Sequence, residues 1–189
     1  MKGKVLNVFC LSTGRCGSTT FAKSLSHLTN FTSGHETRIN IIGPKRFDYP
    51  DNHIESDNRL SWMLGSLDSR FGDHAVYVHL WRNRSEVAAS YSKRYHPSWI
   101  SGIMHGFGHG ILMRNEHYSE QEIFEVANMY VDVVESNIKQ FLKDKSKVVE
   151  FSMHKPRQGI DDLWKLAGLE GDRDIAYQEW TIKYNASID

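Results

Sequence analysis

From Ser12 to Thr20 the chain reads Ser-Thr-Gly-Arg-Cys-Gly-Ser-Thr-Thr, a set of residue types suited to holding an anion. Gly14 and Gly17 would let the backbone approach a phosphate or sulfate closely, because neither carries a Cβ. Arg15 adds a planar, permanently charged fork, while Ser18, Thr19 and Thr20 add hydroxyl donors. Familiar anion loops are excluded by spacing. The Gly-x-x-x-x-Gly-Lys-Ser/Thr phosphate loop does not fit, since two residues separate Gly14 from Gly17 and no Lys precedes Ser18. The Gly-x-Gly-x-x-Gly dinucleotide fingerprint is absent. A cysteine phosphatase loop needs one more residue than the four between Cys10 and Arg15. Spacing alone leaves two readings open, an anion loop of another type and a purely structural turn.

An anion loop works when a strand delivers it and a helix leaves it, because the unpaired N–H groups of the first helical turn then face the ligand. Val5 to Leu11 is an apolar run with β-formers and reads as a buried strand. Phe21, Leu25 and Leu28 recur at helical spacing, which starts a helix near Ser18. Residues 30–59 are polar and without a clear period, apart from a short second strand ahead of Glu36. Leu60 to Phe71 reads as a helix, Ala75 to Trp81 as a second buried strand, and Ser85 to Tyr95 as a helix after it. Ser119 and Glu122 form a capping box ahead of a long one-faced helix that carries Ile123, Ala127, Tyr130, Val134 and Ile138. Val148 to Phe151 is a further strand, Ile160 to Ala167 a helix stopped by Gly168, and the tail is helical. Strands alternating with helices predict a single α/β domain over 1–189, with a central parallel sheet flanked by helices.

A second pattern lies on the Ala75–Trp81 strand and the helix after it. His79-Leu80-Trp81-Arg82 ends a strand in Arg, and Ser90 follows eight positions later in a helix. Arg82 thus falls at the carboxyl end of a strand, where open α/β sheets bind ligands. Taken with Leu11 to Thr20, this pair of motifs resembles the sulfotransferases that use 3′-phosphoadenosine 5′-phosphosulfate (PAPS), whose architecture is P-loop NTPase-like. The likeness covers about residues 4–29 and 60–95. It implies that Thr13, Gly14, Arg15, Cys16, Gly17, Ser18, Thr19 and Thr20 hold the 5′-phosphosulfate, and that Arg82 and Ser90 hold the 3′-phosphate. Phe151-Ser152-Met153-His154 departs from the family's Glu-Asp-Leu after the late strand, and the C-terminal basic glycine-rich loop of the steroid and phenol enzymes is missing. The match is closer to the bacterial and carbohydrate-type branches.

The resemblance implies sulfuryl transfer from PAPS to an acceptor hydroxyl or amine, with Arg15 stabilising the leaving phosphate. It points to Glu36 as the base; His35, His53 and Glu55 are the other candidates. Arg38, Asp57 and Arg59 are expected to line the acceptor pocket, with helix capping as the competing role for Asp57 or Asn58. Segments 30–59 and 97–118 are expected to shape the acceptor site or a lid. Within the second, His105 and His109 have the spacing of a helical metal pair, but Gly102, Gly106, Gly108 and Gly110 argue against a rigid helix there. Cys16 reads as a small filler of the tight loop rather than a reactive thiol.

Bulk composition narrows the partners. Lys plus Arg (23) balance Asp plus Glu (23), so no basic field points to nucleic acid or a membrane surface. No stretch reaches the roughly 20 apolar residues of a membrane span, and two cysteines, Cys10 and Cys16, form no disulfide framework. The expectation is a cytoplasmic enzyme that takes PAPS as co-substrate, uses no metal, and acts on a small-molecule or carbohydrate acceptor. Two other readings stay open at this point: a P-loop kinase-like phosphotransferase, and a catalytically silent PAPS- or nucleotide-binding module.

Overall fold

β1 (Val8–Leu11) is buried along its whole length, as a strand covered on both faces must be. The computed structural model describes residues 6–94, 102–114, 118–182 and 184. After β1 come α1 (Ser18–Ser24), β2 (Thr32–His35), β3 (His53–Ser56), α2 (Leu64–Phe71), β4 (Val76–Trp81), α3 (Arg84–Ser92) and α4 (Gly102–His105). Next are α5 (Glu120–Leu142), β5 (Val148–Ser152), α6 (Pro156–Ala167) and α7 (Arg173–Glu179). Among the described residues the strands form one parallel sheet in the order β2-β3-β1-β4-β5. The chain leaves β1 toward β2 on one side and leaves β4 toward β5 on the other. A crevice therefore opens at the carboxyl ends of β1 and β4, where Arg15 and Arg82 stand.

Strand alternation sorts the core into two layers. Phe9 and Tyr77 face the layer of α2 and α5, with ring centroids 4.5 Å from Phe71 and 5.0 Å from Phe141 respectively. Phe151 faces the other way and meets Phe21 of α1 edge-on at 5.4 Å. Gly159 lets α6 close on β5, since a Cβ there would lie 2.4 Å from the Phe151 ring. On the α5 side His79 is buried between two carboxylates, Glu135 at 3.0 Å and Glu150 at 2.9 Å. The capping box at Ser119 and Glu122 starts α5, and Gly168 ends α6 in the left-handed region.

Three stretches differ from the sequence expectation. Residues 30–59 supply two strands, and β3 went unread because its side chains are His53, Glu55 and Ser56 around a single Ile54. These polar groups are buried because they satisfy one another. Glu55 accepts from His53 Nε2 at 3.0 Å and from the Thr37 N–H at 2.8 Å, and the Tyr49 ring stacks on His53. The helix expected over Leu60 to Phe71 is split into a 3₁₀ turn, Asn58–Trp62, and α2. The glycine-rich stretch is wound as α4 followed by a wide π turn, Gly106–Ile111, in which buried Phe107 packs against Trp62 and Tyr130. Residues 97–101, 115–117 and Tyr95 of the expected segments lie outside the described residues.

Candidate active site

The loop after β1 needs three left-handed residues in four positions, Gly14 at φ 78°, Arg15 at φ 59° and Gly17 at φ 89°. Gly14 is required on space as well, because a Cβ would lie 2.5 Å from the Tyr91 hydroxyl and 2.8 Å from Asn58 Nδ2. The strain at Arg15 persists because its surroundings are fixed from below. Two buried phenols donate to one acceptor, the Thr13 carbonyl, Tyr91 at 2.7 Å and Tyr130 at 2.8 Å. Thr13 Oγ1 lies 3.0 Å from Cys16 Sγ, and that thiol also donates to the Gly14 carbonyl. Burial pushes the Cys16 thiol up to about 12, so it fills the loop as an inert group.

Arg15 leans across to α3, where its Nε donates to Ser90 Oγ at 3.1 Å. Arg82, at the end of β4, reaches the same place and donates from Nη1 to the Arg15 carbonyl at 3.4 Å. Burial lowers the Arg15 guanidinium from its ordinary value, and the nearby charges of Arg94 and Arg82 add to that. Two arginines and a serine from two distant sequence motifs therefore meet at one half-buried spot, and the charge of Arg94 acts on it as well. Sequence reasoning overlooked Arg94, although it stands four residues after Ser90, the spacing of helix neighbours. The hydroxyls of Tyr91 and Tyr130 carried no sequence signal, because both positions read as plain core.

On the β2 side of the loop, His35 Nε2 lies 3.1 Å from Ser18 Oγ and 3.5 Å from Thr19 Oγ1, while Thr20 is buried. Ser56 Oγ donates to the Ser18 carbonyl at 3.2 Å, and the Glu36 N–H donates to the Ser56 carbonyl at 3.1 Å. Glu36 thus begins the turn beside the start of α1, in the left-handed region at φ 55°. Its carboxylate pairs with Arg59 at 2.9 Å. Burial alone would lower the Arg59 guanidinium, but the hydrogen bond to Glu36 and the charges of Glu36 and Asp57 raise it.

Of the remaining predicted residues, Asp57 joins this pair from the buried side and the others lie away from it. Asp57 is wholly buried, accepts from the Arg59 N–H at 2.9 Å and pairs with Arg46 at 2.8 Å. That is the capping role that competed with acceptor binding, and burial raises its carboxyl above the ordinary value despite both arginines. Arg38 donates to the Asp48 carbonyl at 2.6 Å and lies over the Tyr49 ring. His53 and Glu55 are buried in β3 and bonded to each other, which removes them as accessible bases. The His105 and His109 rings meet at a tilt with centroids 4.8 Å apart, and His109 Nδ1 faces the Arg114 carbonyl at 2.5 Å.

At the level of sequence the chain matches no protein-family model and no curated protein. Among solved structures it is similar to a sulfotransferase domain from the curacin biosynthetic pathway, with a TM-score of 0.64 and 15% identity. That likeness covers 89% of this chain and 75% of the other, and it establishes a shared fold. No helix among the described residues is long and apolar enough to cross a membrane.

Proposed function

We propose that this protein moves a sulfuryl group from PAPS to an acceptor hydroxyl or amine and releases 3′-phosphoadenosine 5′-phosphate (PAP). The observation that carries the reading is the contact between Arg15 and Ser90, with Arg82 on the Arg15 carbonyl. It joins two motifs 75 residues apart at the mouth of a parallel sheet. In this reading the loop from Thr13 to Thr20 surrounds the 5′-phosphosulfate, and Arg82 and Ser90 take the 3′-phosphate. The acceptor oxygen attacks sulfur in line, the bond from sulfur to the phosphate oxygen breaks, and the acceptor proton passes to Glu36. Negative charge builds on the leaving phosphate, which is where Arg15 acts.

Arg59 holds the Glu36 carboxylate in one place. Segments 30–59 and 97–118 are read as acceptor and lid elements, with Arg38 and Arg59 on the acceptor side, buried Asp57 bonded to Arg59, and no metal in the scheme. A small-molecule or carbohydrate acceptor and a reducing compartment such as the cytoplasm complete the reading; Cys10 and Cys16 are both free, buried thiols.

Calorimetric titration with PAP, beside ADP and ATP without metal, is the direct test. Binding that requires the 3′-phosphate supports the reading and justifies acceptor screening with labelled PAPS. Magnesium-dependent ATP binding with none of PAP favours the kinase-like alternative. Binding of PAP without transfer to any acceptor class favours the silent module.

A further inference from the structure

Position three of a helix has a standard use for glutamate. In α5 Glu122 occupies it, and its Oε2 accepts from the Ser119 N–H at 2.9 Å and the Ser119 hydroxyl at 2.7 Å. Glu86 occupies the same position in α3 but is turned elsewhere. Its Oε2 accepts from Arg82 Nε at 2.6 Å and from His154 Nε2 at 3.0 Å. Capping of α3 falls to Asn83, whose Oδ1 accepts from the Ser85 N–H at 3.0 Å and the Ser85 hydroxyl at 2.7 Å. One carboxylate oxygen therefore ties the arginine at the end of β4 to the connection after β5. His154 belongs to the Phe151 to His154 stretch that departs from the family pattern.

A guanidinium is rigid and planar, so fixing Nε fixes the direction of both η nitrogens. In Arg82 the η end reaches the Arg15 carbonyl, so the fork stands at the edge of the loop where Arg15 meets Ser90. Glu86 acts on anion affinity with two opposite signs. Its negative charge offsets part of the positive field around Arg82, which weakens attraction for a phosphate. Its grip on Nε pre-orients the fork, which strengthens a directional contact.

We propose that the grip dominates: Glu86, backed by His154, is the positioning residue that makes Arg82 a reader of the donor's 3′-phosphate. This inference rests on the donor reading above. The opposite signs make it testable without knowing the acceptor, by titrating PAP and AMP, which differ only in the 3′-phosphate. The wild type should prefer PAP. Glu86→Ala should lower PAP affinity about tenfold and leave AMP affinity unchanged. Glu86→Gln, which keeps an acceptor oxygen, should fall between the two, and retained AMP binding shows that each variant is folded. A rise in PAP affinity would mean the charge effect wins, and equal losses for PAP and AMP would mean a general structural role. Either result overturns the proposal. A wild type that does not distinguish PAP from AMP would instead defeat the donor reading itself, and the proposal with it.

Discussion

The two sides of the candidate site are built differently. The loop from Ser12 to Gly17 is shaped by backbone, with three left-handed residues clamped by phenols and a thiol that lie below it. Across the sheet, Glu36, Arg59, Asp57 and Arg46 form a chain of alternating charges, buried at Arg46 and Asp57 and half-exposed at Arg59 and Glu36. A clamped loop has one shape with or without ligand, whereas a half-exposed ion pair can exchange partners at small cost. The first construction suits a donor whose phosphates are always the same. The second suits an acceptor that must enter, give up a proton and leave.

If that contrast holds, losses on the loop side should be larger and should leave the fold intact. In the proposed reaction Arg15→Ala removes the cation assigned to the leaving phosphate and should lower turnover about a thousandfold, with unchanged circular dichroism. Glu36→Gln keeps the shape of the turn and removes the proposed base, so turnover should fall about a hundredfold while PAP affinity stays. Near-normal turnover of Glu36→Gln across pH would transfer the base role to His35, the other candidate that touches the loop hydroxyls.

The same contrast governs what could be read from the sequence. Loop-side residues declare themselves because glycine, arginine and serine at fixed local spacing have few other uses, and the apolar runs of β1 and β4 place them. The long one-faced pattern of α5 and its capping box were legible for the same reason, since period and cap are local. The charge chain was not legible. Glu36 and Arg59 are far apart in sequence, and β3 between them has no apolar period because His53 and Glu55 are buried by pairing rather than by hydrophobicity. A polar segment becomes a strand here only once β1 and β2 flank it, which is tertiary context overriding propensity.

The framework under the loop makes a pH prediction. Burial alone would lower the His79 imidazole, but hydrogen bonds to Glu135 and Glu150 raise it to about 9. Burial pushes Glu135 up, and the hydrogen bond and charge of His79 outweigh that and bring it below its ordinary value. With the folded value above the unfolded one of about 6.5, the stabilisation is complete below that pH and is lost as pH rises through about 9. Glu150 is largely exposed and contributes less, so the loss should be on the order of 2 kcal/mol, about thirtyfold in the folding equilibrium. Thermal unfolding midpoints should fall over this alkaline range in the wild type and stay flatter in His79→Gln. Equal slopes in the two proteins would show that the imidazole is not charged in the fold.

The smallest effect tests the clamp itself. Tyr91→Phe removes one of two donors to the Thr13 carbonyl without opening space, and Tyr130 still donates at 2.8 Å. The carbonyl stays paired, so the cost should be about 1 kcal/mol, about fivefold in the folding equilibrium, with little change in PAP affinity. Removing both phenolic hydroxyls, in Tyr91→Phe with Tyr130→Phe, leaves a buried carbonyl without either donor and should cost more than the two single changes together. The loop would then lose the support that holds Arg15 in the left-handed region, and PAP affinity should fall with stability. Strict additivity, with PAP affinity unmoved in the double variant, would mean that the glycines alone shape the loop and that the phenols merely fill the core beneath it.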